Sequence, residues 1–133
     1  MIMDLATLQE NIGVRFDDEN LLLEAVTHSS CLNESMGYIK HSLALAWLGD
    51  ALIRWVVSEE VYRGELSTKV LHDLRERYIG EKYLAELAKD FSLDEASILP
   101  KGQKKMGGKS NLGNLHTVFE AVVGLYTGIK DMR

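Results

Sequence analysis

Residues 43–52 read Leu43-Ala44-Leu45-Ala46-Trp47-Leu48-Gly49-Asp50-Ala51-Leu52. This is a helix-like apolar run that ends in a lone carboxylate, Asp50, beside a glycine. A charge in such a setting needs a partner or a task. A second case lies far down the chain, at Glu120 in Thr117-Val118-Phe119-Glu120-Ala121-Val122-Val123-Gly124. Two acids, each embedded in an apolar helix, point to a shared buried site. A metal ion is the simplest partner for both.

Working outward from residue 43, the central helix is expected from about Ser42 to Tyr62, stopping before Gly64. It is apolar on most sides through Val57, the pattern of a buried core helix. Upstream, Asp4 to Asn11 forms a short helix closed by Gly13, and Asp17 or Asp18 caps a second that runs to about Ala25. Thr27 to Gly37 is polar and turn-like. Downstream, Ser67 caps a helix with the apolar set Val70, Leu71, Leu74 and Tyr78. Glu81 to Phe91 follows, with Leu84, Leu87 and Ala88 at helical spacing. Asp94 to Leu99 is a short turn of helix ended by Pro100. Lys101 to Gly113, rich in Gly and Lys, reads as a mobile loop. The last helix runs from about Asn114 to Tyr126. The β-branched pairs Val56-Val57 and Val122-Val123 sit inside longer helical patterns, so the expected class is all-α.

The 133 residues fit one domain with one core, and a hydrophobic content of 46% is that of a folded chain. No apolar run reaches the ~18 residues that span a membrane. Met1-Ile2-Met3-Asp4 lacks a basic region and an apolar signal core, so secretion is not expected. The single Cys31 cannot form an internal disulfide, which suits a reducing cytoplasm. A net charge of −5 does not by itself argue for nucleic acid. The charge is unevenly placed, however. Lys101, Lys104, Lys105 and Lys109 fall between Pro100 and Gly113 with no acid among them, a basic segment that could aim a polyanion at one spot.

Residues three or four apart share a helix face. Position 46 is one turn before Asp50, and position 117 is nearly one turn before Glu120. Acids at all four places, on two facing helices, would make a nest for two Mg²⁺ ions. Here the partner positions hold Ala46 and Thr117, so half of such a nest is present.

At this point the chain resembles the ribonuclease III family. The resemblance begins with Leu8-Gln9-Glu10-Asn11-Ile12-Gly13-Val14-Arg15-Phe16 and Leu21-Leu22-Leu23-Glu24-Ala25-Val26-Thr27-His28-Ser29-Ser30. It continues through Trp47-Leu48-Gly49-Asp50-Ala51 and Gly64-Glu65-Leu66-Ser67 to Phe119-Glu120-Ala121-Val122-Val123-Gly124. Each piece is weak alone; the ordered set is strong and covers nearly the whole chain. The family has acids where this chain has Leu43, Ala46 and Thr117. At those positions, and at Leu71-His72, the chain resembles the Mini-III branch, which lacks a separate double-stranded-RNA-binding domain. Its N-terminal region is closer to the standard family.

The resemblance implies an all-α, ribonuclease III endonuclease-domain-like bundle filling residues 1–133, with no double-stranded-RNA-binding domain. It implies an endoribonuclease that cuts double-stranded or structured RNA in RNA processing, rRNA maturation included, and acts as a homodimer. Asp50 and Glu120 would bind Mg²⁺, with Mn²⁺ as a substitute, and the metal would activate a water. Two acids in place of four imply weaker metal affinity, and one firmly held ion rather than two. Trp47 aligns with an aromatic residue that members insert into the partner subunit. Double-stranded RNA is read by shape and 2′-hydroxyls, so base-specific residues need not be visible.

Plainer readings stand beside these. Asp50 could be satisfied by Arg54, four residues on, and Glu120 could be structural; the resemblance favours metal binding for both. Trp47 could be a core residue instead of a dimer contact. The four lysines could be a solvated loop instead of an RNA contact. His28, His41, His72 and His116 show no zinc spacing. His28 suits a structural hydrogen bond. His72 falls near the presumed site, with RNA contact set against a surface role, and His116 or Asn114 could replace a missing ligand. Cys31 lacks a Cys/His partner pattern. The rival to an enzyme is a non-catalytic dimerisation or RNA-binding module; a helical protein-interaction domain is a third reading. Survival of both Asp50 and Glu120, beside replaced neighbours, favours the enzyme.

Overall fold

The computed structural model describes residues 3–28, 31 and 42–127. His41 and most of the polar stretch 27–37 lie outside these residues. Helix α1 (Leu5–Ile12) starts at Asp4, whose side chain accepts the Thr7 amide at 2.7 Å, and stops at Gly13 with φ 81°. Only glycine takes that conformation without strain. Asp18, not Asp17, caps α2 (Glu19–Val26) by accepting from the Asn20 amide at 2.9 Å. The long helix α3 (Leu43–Val61) is followed by α4 (Thr68–Ile79), capped by Ser67, and by α5 (Glu81–Asp90). A short α6 (Leu93–Ala96) and α7 (Lys101–Lys105) lead through a 3₁₀ turn at Gly108–Ser110 to α8 (Leu112–Gly124). Asn111 caps α8 through the Asn114 amide, so that helix begins two residues earlier than the sequence suggests. The class is all-α. Among the described residues the sole β feature is an isolated parallel bridge, in which the His28 amide donates to Ile98 O and the Ile98 amide to Val26 O.

Helix α8 is the centre of the bundle, packed on α3 and α5. Its buried face carries Leu115, Val118, Ala121 and Val122, which join Leu8, Leu22, Leu45 and Leu93 in the main core. A smaller cluster forms around Ile53, Ile79 and Leu84, and Phe119 packs against both. Burying a Leu or Val side chain contributes ~1.5–3 kcal/mol.

The α3–α8 contact is unusually close because two glycines face it. A Cβ on Gly49 would fall on the carbonyl oxygen of Glu120, and one on Gly124 would fall on the carbonyl oxygen of Leu45. The backbones therefore touch, and Asp50, next to Gly49, and Glu120, one turn before Gly124, are brought together.

Two expectations from the sequence are corrected. Helix α3 is not buried on most sides. Leu45, Ala46, Gly49 and Ile53 face the core, while Leu43, Trp47, Trp55 and Val56 are exposed. Among the described residues only α4 and α8 pack extensively on α3, and they leave an apolar face of the long helix uncovered. Residues 101–113 are not an open loop either. Asn114 Nδ2 donates to Gly108 O at 3.0 Å and to Gln103 Oε1 at 3.2 Å, folding α7 and the 3₁₀ turn onto the start of α8.

Candidate active site

Glu120 lies in the interior, 8% exposed, on the α8 face that meets α3. Its carboxyl group, when protonated, is placed to hydrogen-bond Asp50. Burial, that hydrogen bond and the Asp50 charge together push its pKa up to about 8, with Arg54 pulling the other way. Desolvation disfavours the charged form and a neighbouring carboxylate disfavours it further. At neutral pH burial and the neighbouring carboxylate therefore favour one proton shared by the pair.

Asp50 is not buried, contrary to the sequence reading. Its side chain is 43% exposed and accepts a hydrogen bond from Arg54 Nε at 3.1 Å. The pair is one of interior and rim: a closed-in acid at position 120 and a solvent-facing acid at position 50. Arg54 Nη1 reaches toward Glu76 on α4 at 3.9 Å, and His72 Nε2 lies 4.0 Å from the same carboxylate. His116, one turn before Glu120, places Nε2 at 3.6 Å from Glu120 Oε2. Burial lowers the His116 pKa, against the raising effect of the Glu81 and Asp50 charges, so its imidazole is neutral at pH 7. His72 thus reaches the edge of the acid cluster, and His116 its inside.

Glu76 and Glu81 are missing from the sequence reading. The signal was the register of α4. His72 and Glu76 are four apart on one face, and so are Asp50 and Arg54 on α3, but only the packing shows that the two faces meet.

Ala46 is part of the main core. Thr117 lines a small cleft with Ser42, His28 and Asn114. Neither adds an oxygen ligand of the carboxylate kind. Among the described residues no group of three or more His, Cys, Asp or Glu side chains gathers as a metal cluster. His28 Nε2 lies 3.1 Å from Asn114 Oδ1, in keeping with a structural bond. Cys31 is buried.

Trp47 is 80% exposed, so it is not a core residue of this chain. Lys101, Lys104 and Lys105 are exposed on α7, and Lys109 donates to Glu95 O at 3.2 Å. These lysines sit at the N-terminal end of α8, whose Asn114 is about 9 Å along the axis from Glu120. They and the acids thus share one helix as their frame.

A family model described as ribonuclease-III-like matches residues 18–130. The chain belongs to the ribonuclease-III-like family. It is similar to ribonuclease 3 of Oleidesulfovibrio alaskensis, 38% identical over 119 residues that cover 88% of this chain and 52% of that protein. Ribonuclease 3 of Nitratidesulfovibrio vulgaris is also 38% identical over 119 residues, covering 88% of this chain and 47% of that one. The chain spans about half the length of these ribonuclease 3 relatives. Among solved structures, the ribonuclease III nuclease domain of Campylobacter jejuni superposes with a TM-score of 0.84 at 26% identity, covering 96% of this chain and 90% of that one. That domain is described as flexible in a region involved in dimer formation. The ribonuclease III fold is thus the fold of this chain.

Proposed function

We propose that this chain is a metal-dependent endoribonuclease domain that cuts double-stranded or structured RNA as a homodimer, with Asp50 and Glu120 as its catalytic, metal-binding acids. The observation that carries this reading is the convergence of the two carboxyl groups at the Gly49–Gly124 crossing, where Glu120 is held against its ordinary charge state. A cation between them would offset both the burial and the carboxylate repulsion that raise the pKa, so the donor set fits one. The ligands are hard oxygens, and the half-exposed Asp50 leaves room for waters and phosphate oxygens, the coordination Mg²⁺ prefers. A divalent ion bound there supplies Lewis acidity for phosphodiester hydrolysis. Arg54 holds the Asp50 carboxylate in place through Nε, and neutral His116 flanks Glu120 without adding charge.

The wider reading follows the same lines. Ala46, Thr117 and Leu71-His72 support a Mini-III-like centre. The exposed Leu43 and Trp47, one turn apart on α3, support a two-fold interface. Lys101, Lys104, Lys105 and Lys109, with His72, are assigned to the RNA backbone. One domain over residues 1–133, RNA processing as the task and a reducing cytoplasm as the setting complete the proposal. Ala46 in the core favours one alternative, a non-catalytic RNA-binding or dimerisation module.

Incubation with duplex RNA and Mg²⁺ or Mn²⁺, beside Asp50→Asn and Glu120→Gln, separates the two. Cleavage abolished in both variants is expected. No cleavage with any divalent ion sinks the enzyme, and cleavage unchanged in both variants sinks the site assignment.

A further inference from the structure

One half-buried cation stands outside the network just described. Arg75, on α4, donates from Nη1 to Ser58 Oγ on α3 at 3.1 Å. Its Nε is buried without a hydrogen-bond partner, the one such side-chain nitrogen or oxygen among the described residues. No carboxylate among the described residues lies within ion-pair distance of it. An unsatisfied buried donor is destabilising, and more so when it belongs to a charged group. Such a group calls for an explanation.

Arg75 lines a cleft of about 390 Å³ between α3 and α4, with Ser58, Tyr62, Thr68, Leu71 and His72. The cleft is larger than a water needs. Its polar lining is made of groups able to donate: a guanidinium, three hydroxyls and an imidazole. It contains no acid. Leu71 and the ring of Tyr62 add an apolar wall. The Arg75 guanidinium lines this cleft, and its planar fork of N–H groups is of the kind that binds a phosphate bidentately. Tyr62, 63% exposed, offers a face on which a sugar or base can rest.

The cleft is also in line with the candidate acids. Asp50, Arg54 and Ser58 recur every four residues along one face of α3. Ser58 is therefore about 12 Å along the helix axis from Asp50. His72 belongs both to the cleft and to the pair with Glu76 at the edge of the acid cluster.

We propose that this cleft is a phosphate subsite, in which Arg75 grips a backbone phosphate of the RNA other than the one that is cut. The inference rests on the nuclease reading above and adds to it a contact outside the metal centre.

Two measurements test it. The first is binding of a fluorescent duplex RNA by anisotropy across a salt series, with EDTA present to keep the RNA intact. Arg75→Gln is expected to weaken binding roughly tenfold, the scale of one charged hydrogen-bond pair. It should also lower the salt slope by about one. Arg75→Lys, which keeps the charge and loses the fork, should recover the slope but only part of the affinity. Unchanged affinity and slope in Arg75→Gln overturn the subsite, and do so without touching the nuclease reading if the wild type still cuts RNA. The second uses wild-type protein, so it does not depend on how a variant folds: the Arg75 Nε–Hε resonance is followed during titration with duplex RNA and, separately, with inorganic phosphate. A shift with RNA is expected, and no shift on RNA binding overturns the proposal. A shift with inorganic phosphate in a protein that neither binds nor cuts RNA overturns both the nuclease reading and RNA as the source of the phosphate.

Discussion

Glu120 and Asp50 approach one another across the crossing of α3 and α8, and burial, with the neighbouring carboxyl group, pushes the Glu120 pKa up to about 8, so that the pair retains a proton near neutral pH. The proton makes the pair sensitive both to pH and to any cation.

Stability of the metal-free protein should fall as pH rises from 6.5 to 8. The Glu120 pKa is raised from 4.5 to about 8 on folding, so the folded state binds more protons than the unfolded state in between. Its contribution is full below 4.5 and is lost as pH rises through about 8, at no more than about 1.4 kcal/mol per pH unit. His116 acts oppositely but elsewhere. Its folded pKa is lowered below 6.5, so its contribution is lost as pH falls below that value. The range 6.5–8 therefore isolates Glu120. Urea unfolding across it should show a falling slope that Glu120→Gln abolishes, and that Mg²⁺ flattens if the cation binds there. A flat wild-type profile would contradict the shifted carboxyl.

Gly49→Ala and Gly124→Ala should each destabilise the fold by 1–3 kcal/mol or more, the range for overpacking. The added methyl meets main-chain carbonyls, which cannot swing aside as a flexible side chain can. Gly102→Ala is the control. A Cβ there meets nothing within 4 Å and the residue lies in α7, so a change near zero or a small gain is expected. Equal effects at all three glycines in chemical denaturation would contradict the close crossing.

Asn114→Ala should loosen residues 101–110 more than the rest of the chain. The side chain ties Gly108 and Gln103 to the start of α8, and loss of its bonds should cost about 1–3 kcal/mol. Amide exchange should accelerate selectively over α7 and the 3₁₀ turn. Uniform acceleration across α3 and α8 would show that the anchor is global instead.

Trp47→Ala should leave the folding of one chain nearly unchanged, within about 0.5 kcal/mol, because the side chain is 80% exposed. If the exposed face of α3 is a two-fold interface, the same change should weaken self-association at least tenfold, roughly 1.4 kcal/mol, in sedimentation experiments. A wild-type protein that sediments as a monomer at micromolar concentration removes the interface from the reading.

Much of this architecture was legible beforehand because its signals are local. Asp4, Asp18 and Ser67 announce helix starts by chemistry that involves only the next few residues, and Gly13 announces an end. The failures share one cause. Whether Trp47 is inside or outside depends on how many helices pack around α3, which no local pattern encodes. Residues 101–113 looked open because their order comes from Asn114, beyond the segment itself. Asp50 and Glu120 were legible as a pair, but their inequality was not. One faces solvent and the other the interior, a difference set by the angle at which two helices meet. Arg75 carried no signal at all, since its meaning lies in an acceptor it lacks.

The touching glycines also act as a gauge block. With no Cβ at either glycine, main-chain contact sets the closest approach of the two acid-bearing backbones, and conservative repacking of the surrounding core is expected to leave it unchanged. Variation in ion preference among proteins that keep both glycines should therefore arise from what surrounds the acids, not from how far apart their helices stand.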